Sequence, residues 1–190
     1  MLLHPRCSNN LIPVLASRRI ENLALIGFMG TGKSSVGRIA AEMLHFTFLD
    51  TDHVIESRSG KTISQIFEKE GEVGFRALER GVVEELSRRT RTVIATGGGL
   101  AAIEANLASL KSHALVVCLW SSPEKIFERV RGQSHRPLLK HEQPMEKIRQ
   151  LLSEREPYYR QADVLVNTEL RPLREVASQV VHQFRIALGA

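Results

Sequence analysis

Gly27-Phe28-Met29-Gly30-Thr31-Gly32-Lys33-Ser34 follows directly on the apolar run Leu23-Ala24-Leu25-Ile26, so one short stretch reads as strand, glycine-rich turn and helix start. Its spacing is G-x-x-x-x-G-K-S. Glycines let the backbone wrap close to an anion, and the N–H groups of a helix N-terminus then point at phosphate oxygens. The lysine reaches the outer phosphates and the serine hydroxyl reaches a magnesium ion. The plain alternative is a glycine-rich connector between strand and helix. The full pattern in this context instead predicts binding of a nucleoside triphosphate, with Gly30, Thr31, Gly32, Lys33, Ser34 and Ser35 around the phosphates.

Outward from this loop, short apolar runs alternate with helical patterns, the rhythm of a parallel sheet wrapped by helices. Strands are expected at 23–26, 46–49, 92–95, 115–120 and 163–166, with a helix at 33–44 after the loop. The fold class expected is α/β, a five-stranded parallel sheet flanked by helices. Ligands of such sheets bind beyond the carboxyl ends of the strands. The glycine loop, Asp50-Thr51-Asp52 and Thr96-Gly97-Gly98-Gly99 each end a strand, so all three should face one cleft.

Between the second and third strands lies an insertion, residues 53–90, with helical patterning. Thr62 followed by Gln65 has the spacing of a capping box, and Gly71 is expected to stop that helix before a longer one over 72–88. Glu72, Arg76 and Glu79 share one face of the longer helix; taken alone they read as surface ion pairing. Ser122 and Pro123 suit an N-cap and first helical residue for a helix to Arg131. Residues 132–143 lack apolar periodicity and contain Arg136-Pro137-Leu138-Leu139, as a lid would. A helix over 145–155 is expected next, interrupted by Pro157.

The whole chain has 190 residues, 43% of them apolar and 25% charged, which fits one domain with a substantial core. Two cysteines, Cys7 and Cys118, argue against a disulfide framework and for a reducing, cytoplasmic setting; Cys118 reads as a small buried hydrophobe. No apolar run is long enough to span a bilayer, so no membrane partner is expected. Residues 1–20 carry Arg6, Arg18 and Arg19 without an acidic residue and read as a disordered tail rather than a transit peptide, leaving 21–190 as the domain. The net charge of +5 comes from basic residues spread among glutamates, as in Glu84-Glu85 before Arg88-Arg89. A solvated face accounts for them, and no nucleic-acid partner is expected. Nothing in the pattern demands a second copy, so a monomer is expected.

Phosphoryl transfer asks a protein for positioning and charge neutralisation. A magnesium site wants Ser34 and a nearby carboxylate, and the strand-end Asp50 suits it. Asp52, two residues on along an extended segment, points to the same side and can accept a proton or hydrogen bond from an acceptor hydroxyl. The competing reading makes these aspartates a turn and a helix N-cap. Gly97, Gly98 and Gly99 provide either a tight turn or a place where a substrate ring lies against the main chain.

Together these residues resemble the shikimate kinase family, and the similarity runs from about Leu23 to Arg171. It is carried by the Gly27 to Ser34 loop, Asp50-Thr51-Asp52, Gly71-Glu72-Val73-Gly74-Phe75-Arg76-Ala77-Leu78-Glu79, Thr96 to Gly99, Arg136 to Leu139 and Arg155-Glu156-Pro157-Tyr158-Tyr159. The resemblance implies a P-loop fold of the nucleoside-monophosphate-kinase kind, with a helical substrate-binding insertion and a lid. It implies ATP-dependent phosphorylation of the 3-hydroxyl of shikimate, with Mg²⁺ on Ser34 and, through water, Asp50. Shikimate is expected on Asp52, Arg76, the backbone of Gly97, Gly98 and Gly99, and Arg155. Lys33, Asp52 and Arg136 are the expected catalytic set, Arg136 reaching the phosphates. Arg129 is expected against adenine and Arg171 at a further nucleotide contact. The family often has a proline a little after Arg171, whereas here Pro172 is immediate. Two other readings stand beside this one: a gluconate-kinase-like enzyme, and a nucleotide-binding module without catalysis.

Overall fold

The computed structural model describes residues 18–132 and 143–189. In chain order its elements are β1 (Asn22–Ile26), α1 (Lys33–Leu44), β2 (Thr47–Asp50), α2 (Thr51–Ser59), α3 (Ile63–Leu86) and β3 (Thr92–Ala95). A 3₁₀ turn (Leu100–Ala102), α4 (Glu104–His113), β4 (Ala114–Trp120), α5 (Pro123–Val130), α6 (Pro144–Tyr159), β5 (Val164–Asn167) and α7 (Leu173–Ala187) complete it. The five strands are all parallel, in the order β2-β3-β1-β4-β5. The expected α/β fold class holds.

Both faces of the sheet are covered, so its central strands are continuous apolar runs rather than alternating ones. The period of two still decides which core each residue joins. In β1, Leu23 and Leu25 pack with Val36 and Ala40 of α1 and Val176, Val180 and Phe184 of α7. Ala24 and Ile26 face the other way, into a layer holding Ile66, Phe75 and Val82 of α3, Leu107 of α4, Ile126 of α5 and Ile148 of α6. Each fully buried branched side chain contributes about 1.5–3 kcal/mol, against about 1 kcal/mol for a helix cap. These two layers therefore dominate the stability of the fold. Asn22 crosses the base of the sheet: its Oδ1 accepts from Thr92 N at 3.0 Å and its Nδ2 donates to Arg89 O at 2.6 Å.

The caps read from sequence form. Thr62 and Gln65 make both halves of the capping box, and Ser122 Oγ accepts from Lys125 N at 3.3 Å. Gly71, at φ 67°, breaks α3 into two helices, as expected. Cys118 is fully buried, its thiol pushed up to about 12 by burial.

Three expectations shift. The tail expected over 1–20 is docked at its end: Arg18 Nη1 lies 2.6 Å from Asp163 Oδ1, and Ile20 joins the core. Asp163 itself is no strand residue but a buried carboxylate that also accepts from Val116 N at 2.8 Å. Nor does Pro157 interrupt a helix, since α6 continues through it to Tyr159. The carbonyl deprived of its partner is that of Ser153, and Ser153 and Pro157 are both exposed, so water can serve it. Tyr159 then fastens the last turn to the glycine segment after β3.

Candidate active site

The glycine loop leaves β1 with φ of 131° at Gly27, 76° at Gly30 and 94° at Gly32, all in the left-handed region where a Cβ is strained. Gly27 is closed on steric grounds too, because a Cβ there would stand 2.1 Å from Leu119 O. Lys33, only 8% exposed, curls back over the loop, its Nζ donating to Gly27 O at 2.8 Å and Phe28 O at 2.9 Å. Thr31 Oγ1 donates to Phe28 O at 2.7 Å, while Ser34 and Ser35 stand exposed on the first turn of α1.

Ser34 Oγ donates to Asp50 Oδ2 at 2.6 Å, so the hydroxyl and carboxylate predicted to share a cation already meet. The other oxygen of Asp50 accepts from Asp52 N at 3.1 Å and caps α2. The N-cap reading of this aspartate therefore holds, and it leaves Oδ2 directed at Ser34. The premise for Asp52 does not: it lies in the first turn of α2, not on an extended segment. The helix start nonetheless brings its carboxyl beside Asp50. Burial, followed by Asp50, pushes Asp52 up from 3.8 to about 6, with Lys33 pulling the other way. Its Oδ1 is buried without a hydrogen-bond partner among the described residues.

The triple glycine sits against the charged groups of this site. A Cβ on Gly97 would stand 2.5 Å from Asp52 Oδ1 and 3.2 Å from Glu79 Oε1, and one on Gly99 would stand 2.8 Å from Arg76 Nη2. Gly98 lies over Met29 N of the phosphate loop, at 3.2 Å from such a Cβ, and its carbonyl accepts from Arg155 Nη1 at 3.1 Å. Gly97 N donates to Thr51 Oγ1 at 2.9 Å, which pins the start of α2 to the glycine segment. The loop is thus neither a tight left-handed turn nor an idle connector; it makes room for the side chains around it.

Arg76 donates through Nη1 to Glu79 Oε2 at 2.7 Å and through Nη2 to Glu72 Oε1 at 3.0 Å. The surface-pair reading fails for Glu79, which is fully buried, with Oε1 lacking a hydrogen-bond partner among the described residues. Burial pushes Glu79 up, while Arg76 and Arg155 oppose that shift. Sequence reasoning placed Glu79 on the right face but not inside; only the packing of α3 beneath the glycine loop reveals it. Tyr159, which donates from its hydroxyl to Gly98 O at 2.7 Å, was missed as a site residue. Its signals were its spacing of four from Arg155 and its place at the end of the Arg155 to Tyr159 stretch.

On the far side of the phosphate loop, Arg129 donates to Gly30 O at 3.2 Å and to Thr168 Oγ1 at 3.0 Å, and also to Thr168 O. It joins the phosphate loop to the segment after β5. Arg171, in that same segment, pairs with Gln179 of α7 and is exposed. The structure does not bring it to the phosphate loop itself. Arg136 and nearly all of the expected lid, 133–142, lie outside the described residues.

Comparison with known proteins identifies the family. The family described as shikimate kinase matches residues 29–185. A shikimate kinase from Caldanaerobacter subterraneus subsp. tengcongensis is 42% identical over 165 residues, covering 87% of this chain and 96% of that protein. The solved structure of shikimate kinase from Acinetobacter baumannii in complex with shikimate superposes with a TM-score of 0.84 at 42% identity, over 92% of this chain and 96% of that one. A gluconokinase from Sinorhizobium meliloti reaches a TM-score of 0.61 at 19% identity, over 90% of this chain and 96% of that one, and shares the fold alone. With the phosphate loop, the aspartate pair and the arginines gathered at one end of the sheet, the chain belongs to the shikimate kinase family.

Proposed function

We propose that this chain transfers the γ-phosphoryl group of ATP to the 3-hydroxyl of shikimate, giving shikimate 3-phosphate and ADP. The observation that carries this reading is the ring of Asp52, Glu79, Arg76 and Arg155 around Gly97–Gly99, with Gly98 against the phosphate loop at Met29. An acceptor seated there has a carboxylate within reach of two guanidinium groups and a hydroxyl within reach of Asp52. Forked pairing of arginine with carboxylate supplies both charge and orientation. The gluconokinase likeness offers no comparable support for gluconate, because at 19% identity it speaks only for the fold.

In the step itself, the acceptor oxygen forms a bond to the γ-phosphorus as the bond from phosphorus to the bridging oxygen of ADP breaks. Asp52 takes the hydroxyl proton, and its position near 6 suits a base at neutral pH. Lys33 leaves the carbonyls of Gly27 and Phe28 for the phosphate oxygens, which are stronger acceptors. The N–H groups from Gly30 to Ser35 and the start of α1 hold the remaining charge. Ser34 Oγ and Asp50 Oδ2, two oxygens already 2.6 Å apart, form a donor set that fits Mg²⁺, the second through water. Bound there, Mg²⁺ supplies charge neutralisation at the phosphates. Arg129 is assigned to the adenine edge and Arg171 to a more distant nucleotide contact.

The proposal includes an acceptor-binding subdomain over about 53–90 and a monomeric, cytoplasmic enzyme with neither nucleic acid nor membrane as partner. Among the described residues no helix is long and apolar enough to cross a membrane. Coupled ADP release with shikimate and with gluconate, followed by identification of the product, tests the reading. Turnover with shikimate alone is expected; turnover of gluconate alone, or tight ATP binding with no transfer to either acid, overturns it.

A further inference from the structure

Gly98 O accepts two hydrogen bonds, from Tyr159 Oη at 2.7 Å and from Arg155 Nη1 at 3.1 Å. The two donors stand one helical turn apart on α6, the spacing that puts side chains on one face. A carbonyl oxygen has two acceptor sites, so both are filled. Arg155, however, is the group that has to turn to an incoming carboxylate. It is half-buried, with its guanidinium carbon 5.3 Å from the centre of the Phe28 ring, and it also faces buried Glu79. Tyr159 is different: it is 7% exposed and packed among the core residues, with its hydroxyl held between the Gly98 carbonyl and the Arg155 guanidinium.

We infer that Tyr159 is a positioning residue for acceptor binding: it keeps the Gly98 carbonyl satisfied, so that Arg155 can leave that oxygen for the carboxylate of the substrate. Without the phenol, Arg155 is the only donor on this half-buried carbonyl among the described residues, and drawing it away leaves an acceptor bare. A lost hydrogen bond of that kind is expensive compared with the bond's own net worth. The phenol also fixes the last turn of α6 on the glycine segment, which keeps Arg155 at a set distance from Asp52 and Arg76. This inference rests on the reading of the acceptor as shikimate.

Tyr159→Phe removes the hydroxyl and keeps the ring. The expected result is a rise in KM for shikimate of about three- to tenfold, of the size one hydrogen bond gives. KM for ATP and kcat should stay close to wild type, and the thermal midpoint should fall by no more than the few degrees that one buried hydrogen bond is worth. In an Arg155→Ala background the same change should add nothing, because the group it serves is gone. An unchanged shikimate KM in a folded Tyr159→Phe protein overturns the inference, as does an equal rise in the KM for ATP or a full additive effect on top of Arg155→Ala. Should the variant not fold, the wild-type protein reads the same point by NMR. A Gly98 carbonyl-carbon shift that moves to the value of a free carbonyl on addition of shikimate overturns the inference; one that keeps a bonded value supports it. Wild-type protein that turns over no shikimate brings down the functional reading itself. Normal wild-type turnover with an indifferent variant brings down only the role of Tyr159.

Discussion

Two glycine segments bound this site, and they use the same residue for different reasons. In the phosphate loop, Gly27, Gly30 and Gly32 all have left-handed φ, and the backbone could not trace that path with side chains. Gly97, Gly98 and Gly99 have no such φ, and at Gly99 the backbone is an ordinary −106°, −10°. What they lack is space: carboxylate and guanidinium groups occupy the volume a Cβ would need at Gly97 and Gly99, and the backbone of the phosphate loop at Met29 crowds Gly98. The first segment needs glycine for its own backbone path, with Gly27 closed by β4 as well; the second needs it only for what other elements bring.

The sharpest way to break this distinction is Gly27→Ala. Its Cβ would meet Leu119 O at 2.1 Å, a backbone atom in the middle of the sheet that cannot yield. With the left-handed strain added, the expected loss of stability is about 3 kcal/mol or more. Urea unfolding measures it, and a near wild-type midpoint would show that the loop relaxes freely.

Asp52→Asn comes next and separates function from folding at the boundary of the two segments. A fall in kcat of about 10²- to 10⁴-fold is expected for loss of a general base, with ATP binding retained. The same variant should be more stable than wild type. Because Asp52 sits near 6 in the fold against 3.8 when free, the unfolded chain gives up its proton first as pH rises. Wild-type stability therefore falls relative to the variant from about pH 4 to about pH 6 and stays lower by a constant amount above that. Allowing for solvent screening, the gap at neutral pH is on the order of 1–2 kcal/mol. Unfolding curves at several pH values without magnesium check it; a variant that is less stable at pH 7 than at pH 4, relative to wild type, reverses the sign and removes the argument.

The phosphate loop, the caps of α3 and α5 and the strand rhythm were legible because each is decided within a few neighbouring residues. Thr62 needs only Gln65, and Ser122 needs only Lys125. The acceptor half was legible as residue types but not as an arrangement. Asp52 reads either as a residue of an extended segment or as part of a helix start capped by Asp50; Asp50 as the cap and Thr51 receiving Gly97 N decide for the helix. Glu79 looked like a surface partner because helical spacing shows a face without showing what covers it. Tyr159 ends the Arg155 to Tyr159 stretch, but its contact did not show there, since its partner is 61 positions away. Pro157 misled because propensity cannot see that its orphaned carbonyl faces water while Tyr159 anchors the turn. Contacts distant in sequence made the differences at Glu79 and Tyr159 and added to those at Asp52 and Pro157.

Gly99→Ala gives the smallest expected effect and the finest test of the comparison. The new Cβ would lie 2.8 Å and 3.0 Å from the two terminal nitrogens of Arg76, the far end of a flexible side chain. Arg76 can move where Leu119 O cannot, so the fold absorbs the change. Replacing glycine at an ordinary φ also restricts the unfolded chain, worth about 0.4–1 kcal/mol in favour of the variant, which offsets the local crowding. Stability should therefore stay within about 1 kcal/mol of wild type. Moving Arg76 nonetheless spoils its 2.7 Å bond to Glu79 Oε2 and its aim at the acceptor carboxylate. KM for shikimate should rise about three- to tenfold while KM for ATP holds. Loss of folding on Gly99→Ala would mean that this segment, like the phosphate loop, needs glycine for its own backbone; a specific loss of acceptor affinity in a stable protein places the requirement on Arg76.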